Sequence, residues 1–231
     1  MNTLCCAFLL FLGLTLVPQS NTAPEVEITA EPSHHLALEN QLVRAFQVEA
    51  PAHGSTLPHR HRHDYVFVSL GDSEISNNVV GKSPVTLKLK DGEVRFAPGN
   101  FVHVVRNLAA TPFRNVTIEF LQDDKASVKK WDDERALRVL HNGTEEILFV
   151  KDGVRVSEVE LQIAGVLPKH NHSGPELLVA ISDLELRNDV AGKPASNIEM
   201  KSGDIKWFNG GFAHALTNVG QRGVKFVTLE F

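Results

Sequence analysis

From residue 42 onward the chain is built of short runs in which apolar and polar side chains alternate, broken every few residues by glycine, proline, asparagine or aspartate. A period of two is that of a half-buried strand, and breakers at this density mark turns. Residues 42–50 open such a strand, and Gly54 bends the chain after it. Residues 65–70, Tyr-Val-Phe-Val-Ser-Leu, run into Gly71-Asp72 as strand and then turn. Further strands are predicted over 86–90 and 94–97, set off by Asn77-Asn78, Gly81-Lys82-Ser83-Pro84 and Asp91-Gly92-Glu93. Residues 147–150, followed by Lys151-Asp152-Gly153, predict a hairpin. Many short strands with few helical periods predict an all-β chain.

Two stretches break the pattern. Residues 7–17 form an uncharged apolar run too short to span a bilayer comfortably, followed by polar Gln19-Ser20-Asn21-Thr22-Ala23. It predicts a secretory signal peptide over residues 1–23, cleaved after Ala23 or Ser20, and hence a periplasmic or extracellular protein with no stable membrane anchor. Cys5 and Cys6 precede that run, whereas a lipid-bearing cysteine would follow it, so the mature chain has neither disulfide nor thiol chemistry. Residues 122–135 mix both charge signs and read as a solvated linker with a helical turn.

A second regularity has a much longer period. His59, His61 and His103 recur as His170, His172 and His214, each 111 residues on. The same shift carries Asp72 to Asp183, Glu74 to Glu185, Gly92 to Gly203, Phe101 to Phe212 and Asn107 to Asn218. It also carries 116–120, Val-Thr-Ile-Glu-Phe, to 227–231, Val-Thr-Leu-Glu-Phe, and 19 of the 62 positions from His59 to Phe120 are identical. A period this long marks duplicated domains. The expected division is an extension over 24–41, a first domain over 42–120, a linker over 121–146 and a second domain over 147–231.

The duplicated histidines carry the candidate chemistry. Side chains two apart on a strand point the same way, so His170 and His172 can aim at one point, with Glu176 in phase. His214 is the candidate fourth donor. Two or three neutral imidazoles and a carboxylate suit a first-row divalent ion: manganese, iron, zinc or nickel. A net charge of −5 offers no basic surface for nucleic acid.

These residues resemble the two motifs of the cupin superfamily. Gly165, His170, His172 and Glu176 stand for the first motif; Gly203, Asn209, Gly211, His214 and Asn218 stand for the second, with Asn209 where the family has proline and Ser182-Asp183 near the first motif's closing glycine. The resemblance covers about four fifths of the chain. It implies two tandem cupin-type barrels, of the double-stranded β-helix or jelly-roll kind, with His170, His172, Glu176 and His214 as metal ligands. Tyr65 stands where the second copy has Glu176, and a phenol of pKa near 10 is a poor ligand at neutral pH. His59, His61 and His103 therefore make a three-histidine site, a weakened relic or an apo pocket, with His63 in phase as a substitute donor.

Two function classes follow. One is a metal-dependent enzyme, a dioxygenase, decarboxylase or isomerase, acting on a small oxygenated compound; the other is a barrel that binds or stores a small molecule or sugar without turnover. No catalytic residue is assigned beyond the ligands. Leu178, Trp207, Phe208 and above all Phe212 are candidate apolar walls, while Glu119, Glu230 and the pair His34-His35 are expected to face solvent. Exposed barrel edges make a homodimer the expected assembly.

Overall fold

The computed structural model of the protein describes residues 24–122, 130–132 and 135–231. The predicted leader and most of the charged linker, with its helical turn, lie outside the described residues. Among those described, no helix is long and apolar enough to cross a membrane.

The first half contributes ten strands: β1 (Val26–Glu27), β2 (His34–Glu39), β3 (Val43–Ala50), β4 (His59–His61), β5 (Tyr65–Leu70), β6 (Ser73–Val79), β7 (Val85–Leu89), β8 (Val94–Ala97), β9 (Phe101–Asn107) and β10 (Phe113–Phe120). The second adds β11 (Ala136–Lys151), β12 (Val154–His172), β13 (Glu176–Ala180), β14 (Leu184–Val190), β15 (Ser196–Met200), β16 (Ile205–Phe208), β17 (Phe212–Asn218) and β18 (Val224–Glu230). The strands expected from alternation at 42–50, 65–70, 86–90 and 94–97 match β3, β5, β7 and β8 to within a residue. The architecture is all-β, as expected.

In the first half the strands form two sheets, ordered β1-β4-β9-β6-β7 and β2-β3-β10-β5-β8. In the second, one bent strand joins the two corresponding sheets. Residues 154–161 of β12 pair with β18, whereas 166–172 pair with β17. Between them Ala164 takes φ 58° and the register slips between Leu167 and His170.

The duplication extends to strand register. His59 pairs opposite His103 and His170 opposite His214; Tyr65 lies opposite Glu119 and Glu176 opposite Glu230. Several repeated polar residues are thereby explained as framework. Asn107 Nδ2 donates to the carbonyls of Ala50, Pro51 and Thr111, and Asn218 Nδ2 to those of Leu161, Gln162 and Arg222. Lys90 Nζ donates to Asp72 and Lys201 Nζ to Asp183 beside equivalent turns.

Two expectations about boundaries are corrected. Residues 24–41 are not a separate extension, because β2 pairs along β3 and β1 pairs with β4. The linker does not run to residue 146 either: β11 begins at Ala136 and pairs along β12. Both stretches are outer strands, whose half-exposed polar alternation looks like loop until a partner strand satisfies their backbone. The hairpin at 151–154 is as expected, with Asp152 at φ 50° and Gly153 at φ 80°, the left-handed pair that a two-residue turn requires.

One apolar core binds the halves together. Val43, Ala45, Val66, Val68, Val116 and Ile118 from β3, β5 and β10 cluster with Val156, Leu177, Val179, Val227 and Leu229 from β12, β13 and β18, all fully buried. Alternate residues of these strands face their own barrel interior and the other half, and in β13, Glu176–Ala180, every residue is buried. Each such side chain contributes about 1.5–3 kcal/mol by burial. Leu177→Ala should therefore cost about 2–5 kcal/mol, and scanning calorimetry of the intact chain should show one unfolding transition shifted downward as a unit. Two separate transitions, only one of them shifted, would contradict the shared core.

Candidate metal centre

Antiparallel pairing of the end of β12 with β17 sets His170 directly across from His214, and strand periodicity puts His172 on the same face as His170. The three rings converge through one kind of nitrogen. His172 Nε2 and His170 Nε2 each lie 3.1 Å from His214 Nε2. Every Nδ1 faces an acceptor on the other side of its ring. The Pro168 carbonyl is 2.8 Å from His170 Nδ1, Asn188 Oδ1 is 2.9 Å from His214 Nδ1, and Glu230 Oε1 is 3.3 Å from His172 Nδ1.

The Pro168 carbonyl and Asn188 Oδ1 hold the His170 and His214 protons on Nδ1, so those two Nε2 lone pairs meet His172 Nε2 across a buried gap. Such an arrangement repels itself unless a cation stands between. Two nitrogens each about 2.0–2.1 Å from one ion, at right angles, are about 3 Å apart, which is the spacing found. Glu176 supplies an oxygen at the same place. Its Oε2 is buried without a hydrogen-bond partner, 3.6 Å from His172 Nε2. The four expected residues therefore come together, and an orphaned carboxylate oxygen beside three bare nitrogens fits a divalent cation.

Electrostatics agree with the geometry. Burial, followed by the charges of His170 and His172, lowers His214 to about 3. Burial likewise lowers His170. His172 goes the other way, because contact with Glu230 and the charge of Glu176 outweigh its burial. Burial, against the pull of His172 and with the repulsion of Glu230, pushes the Glu176 carboxyl up to about 7.

The expectation that Glu230 faces solvent is wrong, and so is that for Glu119. Glu230 is 6% exposed and Glu119 1% exposed. On β18 the odd-numbered Val227 and Leu229 face the shared core, so Thr228 and Glu230 face the barrel interior. Arg155 Nε donates to Glu230 Oε2 at 2.7 Å and its guanidinium sits 4.1 Å over the Trp131 ring. The contacts with His172 and Arg155 outweigh burial and lower the Glu230 carboxyl. The duplication held this signal. Arg44 and Arg155, Asn77 and Asn188, and Glu119 and Glu230 are pairs of identical residues at the 111-residue shift, and all support histidines.

The cavity beside the cluster has a volume of about 230 Å³ and is lined by His170, His172, Glu176, Glu145, Arg155, Thr228 and Glu230, with Arg138 and Lys169 also on its wall. Phe212 packs 4.9 Å from the His172 ring and 5.0 Å from His214, and Phe208 lies 6.3 Å from His214. Trp207 instead faces the core between the halves, 5.5 Å from Phe231, and Leu178 belongs to the barrel's own apolar core. Gly210 has its own necessity: a Cβ there would come within 2.4 Å of the Gly174 backbone. That close approach pins the turn before His214 to the loop after His172.

The first half repeats the support and changes the donors. His59 Nε2 lies 3.0 Å from His103 Nε2; the Leu57 carbonyl is 2.9 Å from His59 Nδ1, and Asn77 Oδ1 is 2.8 Å from His103 Nδ1. Glu119 Oε1 stands 3.5 Å from His61 Nδ1 and Arg44 Nη1 3.6 Å from Glu119 Oε2. Tyr65 is no donor, since its ring stacks on His61 at 4.1 Å, and burial with the Glu119 charge holds the phenol above its ordinary value. His63 does not substitute: β4 ends at His61, and His63 lines a separate cavity with Leu42, Arg62 and Phe120.

His34, expected in solvent, is buried against this cluster, its ring 4.7 Å from His59 and 6.3 Å from His61. His35 stays exposed. The reason is the pairing of β2 on β3, which turns the first residue of a mostly exposed strand inward.

No protein-family model matches the chain, and no curated protein matches it in sequence. Solved structures do match in shape. A tryptophan-to-tyrosine variant of oxalate decarboxylase from Bacillus subtilis superposes with TM-score 0.62 at 10% identity, over 85% of this chain and 74% of the other. An arginine-to-alanine variant of the same enzyme gives 0.61 at 10% identity, over 88% and 75%. A further structure of oxalate decarboxylase, studied for substrate binding mode and reaction specificity, gives 0.61 at 11% identity, over 85% and 74%. Another structure of the enzyme was studied for its Mn(II) centres. The fold is that of the cupins.

A pH dependence follows for the metal-free chain. Glu176 has its folded value raised to about 7, so the metal-free carboxyl holds a proton below that pH, and a divalent cation must displace it. Histidines lowered by burial are already neutral there and add nothing. Calorimetric titration with Mn2+ should show affinity rising with pH, by more than about tenfold per unit at low pH where Glu176 and His172 each give up a proton, and less steeply above roughly pH 7. In Glu176→Gln the remaining slope should be the smaller one left by His172. An unchanged slope would remove Glu176 from the cation's surroundings.

Proposed function

We propose that the chain is a metal-dependent enzyme that performs decarboxylase-type chemistry on a small carboxylate, at a divalent cation held by His170, His172, Glu176 and His214. The observation that carries this reading is the ionisable lining of the second cavity. Arg155, Glu230 and Glu145 stand on the same wall as the donor cluster, where a simple container would present apolar side chains. Similarity of fold to oxalate decarboxylase supports the substrate class without fixing the substrate.

A bound cation would supply a Lewis acid able to hold a substrate carboxylate and polarise the bond beside it. The chain does the rest. Arg155 keeps Glu230 ionised, and Glu230 holds the His172 proton on Nδ1, which leaves Nε2 free for the centre. Lys169 adds a cation to a wall on which Arg138 and Arg155 are paired with Glu145 and Glu230, and Phe212 packs against the His172 ring on one side. A volume of about 230 Å³ lies below the range of about 300–1,000 Å³ usual for larger ligands, which favours a compact acid. Loss of carbon dioxide breaks one carbon–carbon bond and leaves a carbon that takes one proton from solvent entering the cavity.

Register repeated at the 111-residue shift supports reading the chain as two tandem cupin-type units, of which the second carries the chemistry. Export remains part of the proposal and rests on the apolar run at 7–17. Mass spectrometry of protein recovered outside the cytoplasm should find a new terminus near Ser20 or Ala23; an intact Met1 there would remove it.

The activity is tested by loading purified protein with Mn2+ and following carbon dioxide release and oxygen consumption on a panel of small mono- and dicarboxylic acids that includes oxalate. Carbon dioxide release is expected from at least one, falling roughly 100-fold or more in Glu176→Gln. Acids that bind without being consumed would instead identify a binding or storage protein.

A further inference from the structure

The two halves carry the same arginine and the same glutamate but join them differently. Arg44 on β3 and Arg155 on β12 are equivalent at the 111-residue shift, as are Glu119 on β10 and Glu230 on β18. Each arginine presents one edge of its guanidinium, Nε with Nη2, to a single carboxylate. For Arg44 that carboxylate is Glu39 on the outer strand β2, to which both nitrogens donate at 3.0 Å. For Arg155 it is Glu230, to which Nε donates at 2.7 Å and Nη2 donates as well. The same edge faces the surface in one half and the barrel interior in the other.

Two neighbours account for the turn. Glu39 pairs across from Arg44 and Val150 across from Arg155, so the outer-strand acid of the first half is an aliphatic side chain in the second. A guanidinium is a rigid fork, and an edge engaged by one carboxylate is closed to another. Glu39 takes that edge in the first half. Arg44 Nη1 is left 3.6 Å from Glu119 Oε2, and both Glu119 oxygens are buried without a hydrogen-bond partner. Val150 offers Arg155 no such rival. The second neighbour is Trp131, whose ring centre lies 4.1 Å from the Arg155 guanidinium. Trp131 Nε1 donates to the Gly153 carbonyl at 2.8 Å, which ties the ring to the hairpin that leads into Arg155. The same shift takes Trp131 back to Ser20, which offers no ring.

We propose that Val150 and Trp131 commit Arg155 to Glu230, and that Trp131 is thereby a positioning residue for the second site. Val150 removes the competing acid. The Trp131 ring attracts the flat face of the guanidinium and fixes its plane, which keeps the Nε edge toward the barrel. Glu230, gripped by that edge, stands 3.3 Å from His172 Nδ1. A ring in the segment between the halves is thus linked to the donor cluster through one arginine and one glutamate. The placement of Arg155 stands independently of the chemistry proposed above, whereas its effect on a bound cation rests on that reading.

Three substitutions in the full chain test this. Val150→Glu restores the acid of the first half, Trp131→Leu removes the ring, and Trp131→Phe keeps a ring face. In nitrogen-15 spectra of the metal-free chain the Arg155 Nε–H should exchange slowly in the wild type and in Trp131→Phe, and roughly tenfold faster or more in Val150→Glu and Trp131→Leu. Mn2+ affinity at the second barrel, taken as the uptake lost in His170→Ala, should fall about 10- to 100-fold in Val150→Glu and about 3- to 10-fold in Trp131→Leu, with Trp131→Phe near the wild type. Where Trp131→Leu fails to fold, Val150→Glu decides, since that side chain is only half-buried on an outer strand. Exchange at the wild-type rate in both variants would overturn the proposal, as would a Trp131→Phe chain no different from Trp131→Leu. Unchanged Mn2+ affinity in a Val150→Glu chain whose Arg155 is released would overturn the positioning role. Slow Arg155 exchange in a wild type that takes up no Mn2+ would instead remove the metal-dependent reading and leave the commitment of Arg155 standing.

Discussion

An imidazole whose Nδ1 proton is committed to a fixed acceptor has one lone pair left, and its direction is set by that acceptor. In the second barrel this constraint acts on His170 and His214, and a glutamate stands 3.3 Å behind His172. Pro168, Asn188 and Glu230 sit behind the rings of His170, His214 and His172, and His170 Nε2 and His172 Nε2 each lie 3.1 Å from His214 Nε2. Like-signed lone pairs in a medium of low polarity repel, so the arrangement costs free energy in the metal-free fold. What holds it in place is the framework: strands β12 and β17 in fixed register, a glycine contact beneath the loop, and the apolar core behind.

The framework depends on the two halves being pressed together. Strands β3, β5 and β10 in one half, and β12, β13 and β18 in the other, put one set of alternate residues into the joint core and the opposite set into their own barrels. Glu119 and Glu230 are inward because their neighbours Ile118 and Leu229 are committed to the joint core. A strand cannot turn one residue without turning the rest. The acid that orients His172 is therefore positioned by packing on the far side of the same strand, which links stability of the whole chain to geometry at the site.

How much of this was legible follows the range of each signal. Alternation is local, so β3, β5 and β8 were readable directly; His-x-His with an in-phase glutamate was readable for the same reason, and the 111-residue shift tied the distant His214 to it. The inward direction of Glu230 was not readable from its own strand. Both faces of β18 are buried, so the period of two loses the contrast that tells inside from outside. His34 was hidden for the opposite reason. Strand β2 is polar and half exposed, and only its pairing with β3 decides which residues turn inward. Comparison of the two copies did contain an answer, since Arg44, Asn77 and Glu119 are identical to Arg155, Asn188 and Glu230 where no turn demands them.

The two copies differ in how much space lies beside their histidines. Support for the paired histidines is the same in both: a carbonyl two residues back, an asparagine, and a glutamate held by an arginine. What differs is the fourth direction. In the second barrel Glu176 approaches from β13, and the position on β11 equivalent to His34 carries Glu145, whose 3.2 Å contact with Arg138 holds it on the cavity wall. A space of about 230 Å³ remains beside the donors. In the first barrel the β5 position is filled by the Tyr65 ring stacked on His61, and the β2 position by a histidine turned toward the cluster, which leaves about 50 Å³. Exchanging the side chains on β5 and β2 for their counterparts on β13 and β11 leaves the framework untouched and decides how much space lies beside the histidines.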